Sequence, residues 1–279
     1  EIPQSKTPRL NLNGYNFQPK SFFVKNGLKK QFDFIFIGDP SRRKRLSMLI
    51  DSLNSALNKC SFSVLIINRT KTKSLYSKFL NKIVRSSFDK MNYNKRSHIT
   101  YLEVDQSNNA QIPRDVIPFF IESAKCLIIP SLAEGAARVV AESLAKGLNV
   151  ISFKDMQGAT NNHLHKDYDL LFNTEKDLTD KICYYVENYK NIFSKKNIDF
   201  EDTFSEDNSK HKLKIFLQNT FKNFHLDEKK FKNKTLVNSL QSHNTFLPRF
   251  LPSNKKTDDR EVIYIRYDDI NMKYIYLCT

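Results

Sequence analysis

The sequence has no long apolar run, and no segment reaches the roughly 18 uninterrupted apolar residues that a membrane-spanning helix needs. Residues 1–20 are polar and show no signal-peptide pattern. Cysteine is scarce, and the four that occur are far apart, without metal-ligand spacing: Cys60, Cys126, Cys183 and Cys278. We therefore expect reduced thiols in a cytoplasmic protein.

Acidic residues are also few relative to basic ones. The 279 residues include 45 lysines and arginines against 30 aspartates and glutamates, which gives a formal net charge of +15. This imbalance favours polyanionic partners: nucleic acid, an anionic membrane surface or a phosphorylated ligand. Charge alone does not choose among these three classes. Internal repeats are lacking, and the length suits one large domain or two small ones.

Apolar runs alternate with helical patterns over residues 31–195. The predicted strands are 32–38, 62–68, 98–104, 126–131, 149–153 and 168–172. The predicted helices are 43–58, 74–91, 114–124, 131–147 and 177–193. Apolar strands alternating with helices predict an α/β fold, a Rossmann-like parallel sheet with helices on both faces. Ligands of such sheets bind at the carboxyl ends of the strands, where the strand order reverses.

The remaining residues flank this domain on both sides. Residues 1–30 contain prolines and an Asn-Gly pair, which indicate a linker. Residues 196–279 form a basic C-terminal extension of different character. Within it we expect a helix, a second short helix and a terminal hairpin at 201–224, 231–240, and 262–267 with 273–279.

The segment 131–147, "SLAEGAARVVAESLAKG", raises the question of function. Its composition predicts a helix that Gly147 ends. Glu134 and Glu142 would then lie about 12 Å apart along the axis, too far to hold one metal ion. They suit two distant parts of one long ligand, while the amides near Gly135 and Ala136 form an anion site. These features together fit a nucleotide-sugar.

An ordinary amphipathic helix explains the same segment without a ligand. Val139, Val140 and Leu144 would face the core, and both glutamates would be solvated. The position directly after an apolar strand favours the ligand-binding interpretation.

Two stretches resemble a known family. "PSLAEGAARVVAESLAKGLNVIS" (130–152) is similar to the signature of family 4 GT-B glycosyltransferases, with Pro-Ser, Glu-Gly and a second glutamate eight residues after the first. "FIGDPSRRKRLSMLIDSL" (36–53) looks like the first strand, basic loop and helix of that family's donor domain. The resemblance covers residues 10–195. It implies the C-terminal, nucleotide-sugar-binding half of the two-domain GT-B fold.

The resemblance implies roles for five residues that follow the fourth strand. Glu134 would face hydroxyls of the transferred sugar and is the residue we expect to be catalytic. Glu142 would bind the ribose hydroxyls. Gly135 and Ala136 would offer backbone amides to the sugar and diphosphate, and Ser131 of the Pro-Ser pair would line the same donor site.

The loop after the first strand would bind the diphosphate. Gly38 would let the diphosphate approach the backbone, and Lys44 would occupy the place of the family's diphosphate-binding lysine. A diphosphate leaving group needs its negative charge stabilised, by cations and helix termini where no metal does this. No cofactor and no metal are expected, because "HLH" (163–165) and "DYD" (167–169) suit polar loops better than metal sites.

The sequence departs from the family pattern in this loop. Asp39 stands where the family often has arginine, and it would repel phosphate. Arg45 stands where a glycine is usual. Arg42 or Arg43 would supply the missing positive charge. The family's acceptor-binding N-terminal half has no counterpart in these 279 residues, so we expect either a fragment or natural half of a transferase, or a separate partner chain that supplies that half.

These observations leave three alternative hypotheses for the function of the chain. The first is a retaining, metal-independent glycosyltransferase that moves sugar from a nucleoside-diphosphate sugar to a glycan or lipid-linked acceptor. Its basic helix 74–91 and its basic C-terminal tail would rest on the inner face of an anionic membrane. The second is a nucleotide-sugar-binding module without turnover. The third is a nucleic-acid-binding protein whose binding depends strongly on salt.

Overall fold

The computed structural model describes most of the chain up to residue 220 and a hairpin near its end. The described residues are 16–24, 26–70, 74–105, 112–113, 115–135, 137–158, 160–165, 169–194, 200–220, 262–267 and 273–278. They form two compact units, one within Pro19–Glu201 and the other made of the described residues before and after that span. The domain boundaries expected at residues 30 and 195 stay predictions.

The first unit is built on a six-stranded parallel sheet. Its strands are β1 (Phe32–Gly38), β2 (Val64–Thr70), β3 (Ile99–Asp105), β4 (Ala124–Ile129), β5 (Asn149–Phe153) and β6 (Leu170–Phe172). Their order is β3-β2-β1-β4-β5-β6, and every neighbouring pair is parallel. The predicted Rossmann-like sheet is therefore confirmed. β1 and β5 have the predicted bounds, β2, β3 and β4 are shifted by one or two residues, and β6 begins two residues later than predicted.

Helices cover both faces of the sheet. They are α1 (Leu46–Ala56), α2 (Leu75–Asp89), α3 (Tyr93–Arg96), α4 (Ile117–Glu122), α5 (Arg138–Ala145) and α6 (Glu175–Ser194). Alternate residues of β1 point to opposite faces. Phe34 and Phe36 join a buried cluster with residues of α1 and α6, whereas Ile35 and Ile37 are buried on the other face. There, α4 and α5 pack on β4 and β5.

The helix predicted for 131–147 is shorter than expected. α5 begins at Arg138, so the prediction that Glu134 lies on this helix is wrong. Gly147 follows the end of α5 with φ +77°, which confirms its predicted role as the terminating residue. None of the helices in the described part of the chain is long and apolar enough to span a bilayer.

A buried ion pair anchors the segment that precedes β1. The carboxylate of Glu122 accepts hydrogen bonds from the backbone and side-chain nitrogens of Asn26 at 2.7 and 2.8 Å, and it lies 3.0 Å from Nζ of Lys146. Burial raises the pKa of Glu122, but Lys146 and Asn26 together hold it below its usual range. The ionised carboxylate therefore stabilises the fold at neutral pH, and this contribution is lost as pH falls through the lowered pKa.

The second unit joins residues 16–18 to two helices, α7 (Glu201–Phe204) and α8 (Glu206–Thr220). The backbone of Gln18 donates to the carbonyl of Phe204 and accepts from the amide of Glu206, at 2.7 and 3.0 Å. A two-stranded antiparallel hairpin, β7 (Val262–Tyr267) and β8 (Lys273–Cys278), confirms the predicted terminal hairpin. The helix expected at 231–240 lies outside the described residues.

Candidate donor site

Two loops meet at the point where the strand order reverses. β1 pairs with β2 on one side and with β4 on the other. Because both strands run in the same direction, the loop that follows Gly38 and the loop that follows Ile129 leave the same edge of the sheet. This is the edge where ligands of such sheets bind, as the sequence predicted.

The loop after β1 is a tight basic turn. Residues Arg42–Lys44 form a single 3-10 turn, and the Asp39 carboxylate accepts the Ser41 amide at 2.9 Å. Burial raises the pKa of Asp39. Hydrogen bonding from Ser41 and the charges of Lys44 and Arg43 outweigh burial and hold this pKa below its usual value. Asp39 is therefore a carboxylate that organises the turn, and this gives a structural reason for a residue that the family pattern left unexplained.

The loop after β4 is bonded directly to this turn. The amide of Leu132 donates to the carbonyl of Arg43 at 2.9 Å, and Nη1 of Arg43 donates to the carbonyl of Ala133 at 2.7 Å. The Glu134 carboxylate bridges two cations, with Oε1 2.5 Å from Nζ of Lys44 and Oε2 3.2 Å from Nη1 of Arg43. The structure thus brings together three residues that the sequence assigned to the donor site.

Burial distinguishes the two ion pairs of Glu134. Lys44 and Glu134 are each 7% exposed, whereas about half of the Arg43 side chain is exposed. The Lys44–Glu134 pair is therefore poorly screened by solvent, and removing either partner would leave an uncompensated buried charge. Arg43 contacts the Glu134 carboxylate from the solvent side.

A third loop, after β5, holds Glu134 in place. The amide of Glu134 donates to the carbonyl of Gln157 at 2.8 Å, and the amide of Gln157 donates to the carbonyl of Leu132 at 2.9 Å. Gly158 has φ +108°, and a Cβ built there would lie 1.7 Å from the carbonyl oxygen of Glu134. Neither Gln157 nor Gly158 was among the residues predicted for the site. A Gln-Gly pair close behind a central strand is the signal that marks them.

The other predicted site residues differ in their burial. Ser131 is fully buried, and its Oγ has no hydrogen-bond partner within the described part of the chain. Gly135 and Arg42 are exposed. Glu142 is buried on α5 and takes part in interactions of its own. The remaining predicted residue, Ala136, lies outside the described residues.

The residues that flank the first loop, Gly38 and Arg45, have structural roles that do not depend on a ligand. At Gly38 a Cβ would lie 2.6 Å from the ring of Phe36, so a side chain there requires that ring to move. Arg45, at the position where the family has glycine, adopts the left-handed conformation with φ 54°. This conformation costs a non-glycine residue about 1–2 kcal/mol. The guanidinium of Arg45 stacks over Phe153 at 4.7 Å, a cation–π contact that offsets part of that cost.

Helix α5 starts three residues after Gly135, so its free first-turn amides are not at Gly135, where the sequence predicted them. A helix leaves its first-turn amides without intrahelical partners, and here that turn begins at Arg138. Gly135 lies in the loop that leads to it. The amide of Ala137 donates to Oγ1 of Thr160 at 3.2 Å, which fixes the direction in which the helix starts.

Histidine and carboxylate side chains do not gather into a metal site among the described residues. Asp169, from the Asp-Tyr-Asp segment, accepts the amides of Val150 and His165 at 2.7 and 2.9 Å. It therefore ties β5 to the loop before β6.

The chain resembles known proteins in structure but not detectably in sequence. No protein-family model and no curated protein sequence matches the chain. Solved structures that it resembles include a sucrose-phosphate synthase from Thermosynechococcus elongatus, with a TM-score of 0.52 and 15% identity over 76% of this chain and 52% of that one. A glycosyltransferase from Rickettsia africae gives a TM-score of 0.51 and 14% identity over 68% of this chain and 48% of that one.

A third similar structure was solved with a ligand. It is Anabaena Alr3699/HepE in complex with UDP-glucose, with a TM-score of 0.51 and 17% identity over 66% of this chain and 48% of that one. These proteins are glycosyltransferases of the GT-B fold, so the first unit has the fold of one half of a GT-B glycosyltransferase. The chain spans about half the length of these three structures.

Proposed function

We propose that this chain binds a nucleoside-diphosphate sugar at the candidate donor site and takes part in transferring its sugar. One observation carries the proposal: the Glu134 carboxylate joins Lys44 and Arg43 at the switch point between β1 and β4. At this edge of the sheet a carboxylate can accept hydrogen bonds from sugar hydroxyls, and the adjacent cations can bind the phosphates of the same ligand.

The basic turn would bind the diphosphate. A lysine ammonium has three donors, and Glu134 takes one of those of Lys44, which leaves capacity for phosphate oxygens. Arg43 and the exposed Arg42 add charge at the solvent side. When the sugar leaves, negative charge grows on the diphosphate, and these cations with the first turn of α5 would stabilise it without a metal. Retention of anomeric configuration is proposed on the family resemblance.

The acceptor would bind between this unit and a second, acceptor-reading half. The similar structures are about twice as long as the matched region of this chain, so we propose that an additional domain or a separate chain supplies that half. The acceptor would be a glycan or a lipid-linked saccharide, handled in the cytoplasm.

Donor binding is tested by thermal shift of the purified chain with UDP, GDP, ADP and their common sugar conjugates, in Mg²⁺ and in EDTA. A ligand that binds only the folded state raises the melting temperature, by RT ln(1 + [L]/Kd) in stability. We expect one base family to raise the melting temperature equally with and without Mg²⁺. Glu142→Gln is expected to remove most of this shift, because it loses the charge-assisted hydrogen bond to the ribose.

The matched control is Glu187→Gln, an exposed glutamate on α6. It is expected to keep the full ligand-induced shift. A shift that persists in Glu142→Gln would remove that residue from the site. Stabilisation by every polyanion alike, lost in high salt, would favour the nucleic-acid-binding alternative.

The outer face of α2 is proposed to contact an anionic membrane. Four apolar side chains on this helix are exposed, and basic residues flank them: Leu75, Tyr76, Phe79 and Ile83, with Lys78, Lys82 and Arg85. The opposite side of α2 is buried through residues such as Leu80 and Val84. An apolar stripe bordered by cations matches a surface of anionic headgroups over acyl chains. This contact would place the protein near a lipid-linked acceptor.

Membrane contact is measured by sedimentation with vesicles of phosphatidylcholine alone or mixed with phosphatidylglycerol. We expect binding only to the anionic vesicles, weakened by salt, and reduced about tenfold by Phe79→Asp. Phe119→Asp is the control, because Phe119 is similarly exposed but lies on α4. Equal binding to both vesicle types, or an unaffected Phe79→Asp variant, would rule out this role for α2.

A further inference from the structure

Two cysteines that are distant in sequence are neighbours in the first unit. Cys60 lies between α1 and β2, and Cys183 lies in the middle of α6. They are 123 positions apart, yet their sulfur atoms are 2.6 Å from each other. The sequence predicts four separate thiols, because no spacing motif links these two. The packing of α1 against α6 is what brings them together.

The two thiols share one environment. Both sulfurs face the carbonyl of Ala56, at 3.6 Å from Cys60 and 3.8 Å from Cys183. Another cysteine, Cys126, is fully buried in β4, where its thiol donates to the Leu127 carbonyl. The structure therefore contains a pre-arranged dithiol, held by a backbone acceptor common to both members.

One member of the pair is reachable from solvent. Cys60 lines a surface cavity of about 330 Å³ that also has Lys59, Lys95 and His98 in its wall. Cys183 is only 9% exposed. A small reagent would therefore meet the sulfur of Cys60 first, and Cys183 would be positioned behind it to resolve the product.

We propose that Cys60 and Cys183 form a reversible disulfide by exchange with a low-molecular-weight disulfide. In the first step the Cys60 thiolate attacks one sulfur of the reagent, a mixed disulfide forms, and one small thiolate leaves and takes up a proton. In the second step the Cys183 thiolate attacks the sulfur of Cys60 and expels the second small thiolate. The protein loses two hydrogens, and the reagent is reduced to two thiols.

The rate of this exchange depends on pH in a defined direction. Burial and the neighbouring Cys183 raise the pKa of Cys60 to about 12, so its thiol is protonated at neutral pH. Only the thiolate attacks a disulfide. The exchange is therefore slow near pH 7 and accelerates about tenfold per pH unit up to pH 9, in proportion to the thiolate fraction.

The cross-link would join the loop between α1 and β2 to α6. Cys60 precedes the start of β2, so the pair lies at the amino ends of the strands. The candidate donor site lies at their carboxyl ends, and the disulfide is expected to change stability rather than donor binding. Closing so long a loop restricts the unfolded chain and raises the melting temperature.

The experiment treats the purified full chain with oxidised glutathione at pH 8 and maps disulfides by mass spectrometry of a non-reduced digest. We expect the Cys60 peptide joined to the Cys183 peptide as the main product, and a rise in melting temperature of about 5 °C that dithiothreitol reverses. Cys60→Ser and Cys183→Ser should each lose both effects. A Cys126→Ala/Cys278→Ser variant should keep them.

Peptide mapping of the wild-type chain identifies the pairing even where a variant fails to fold. A stable mixed disulfide of glutathione on Cys60 without cross-linking would overturn the proposal, as would a cross-link that forms only in urea. A reaction rate that is independent of pH between 7 and 9 would contradict the mechanism.

Discussion

Gly158→Ala is expected to destabilise the chain by about 3 kcal/mol or more and to weaken donor binding along with it. Two separate effects combine at this position. The backbone has φ +108°, which side-chain-bearing residues rarely adopt, and the new Cβ would lie 1.7 Å from the Glu134 carbonyl oxygen. Relief requires the loop after β4 to move, and this loop carries the carboxylate that bridges Lys44 and Arg43.

The measurement is urea unfolding with linear extrapolation, followed by nucleotide titration of the folded variant. Gly147→Ala is the control, because Gly147 also has a positive φ of +77° but a Cβ there meets nothing within 4 Å. We expect that variant to lose only about 1 kcal/mol, from backbone strain alone. Equal losses of unfolding free energy in the two variants would show that the clash with the Glu134 carbonyl does not contribute to the destabilisation by Gly158→Ala.

Glu134→Gln is expected to separate donor binding from sugar transfer. The substitution keeps the shape of the side chain and removes its charge. Lys44 then loses its ionised partner, so we expect the nucleoside diphosphate alone to bind at least as tightly as in the wild type. Transfer is expected to fall about 10²- to 10³-fold, because an electrostatic group at the reacting sugar is lost.

Lys44→Met provides the contrasting variant, since it removes the buried cation and should abolish nucleotide binding as well as transfer. Nucleotide affinity is measured by calorimetry, and transfer by release of nucleoside diphosphate from the donor identified by thermal shift. Melting temperatures of both variants verify that they are folded. If Glu134→Gln retained full transfer, the carboxylate would only position Lys44, and the proposed catalytic role would be wrong.

The sheet could be predicted from the sequence because its signals are local. Runs such as "FDFIFIG" and "NVISF" are apolar, rich in β-branched and aromatic residues and bounded by polar ones, and both strands have the predicted bounds. The edge at which a ligand would bind followed from the alternation of strands and helices. The assignment of the basic turn, Glu134 and Glu142 to the candidate donor site rested on the resemblance of residues 36–53 and 130–152 to a family motif.

What could not be predicted depends on contacts between distant residues. Residues 131–137 have the composition of a helix, but Ala133 and Glu134 pair with Gln157 instead, and this tertiary pairing overrides helical propensity. The motif assigned Lys44 and Glu134 to one ligand, and it held no indication that they bind each other. The Cys60–Cys183 pair is invisible for the same reason.

The pairing of β1 with β4 has a consequence for the order in which this domain folds. β1, β2 and β3 follow one another along the chain, and each pairs with the next one through a single helical crossover, so these contacts join residues that are closer in sequence than those of β1 and β4. β2 and β3 lie between β1 and β4 in the sequence. The paired residues Phe34 and Cys126 of β1 and β4 are therefore joined by a much longer stretch of chain, and this pairing closes a longer loop. The candidate donor site lies where β1 and β4 pair. We therefore expect the site to assemble only after this long-range pairing has formed, and a bound donor to stabilise the paired state.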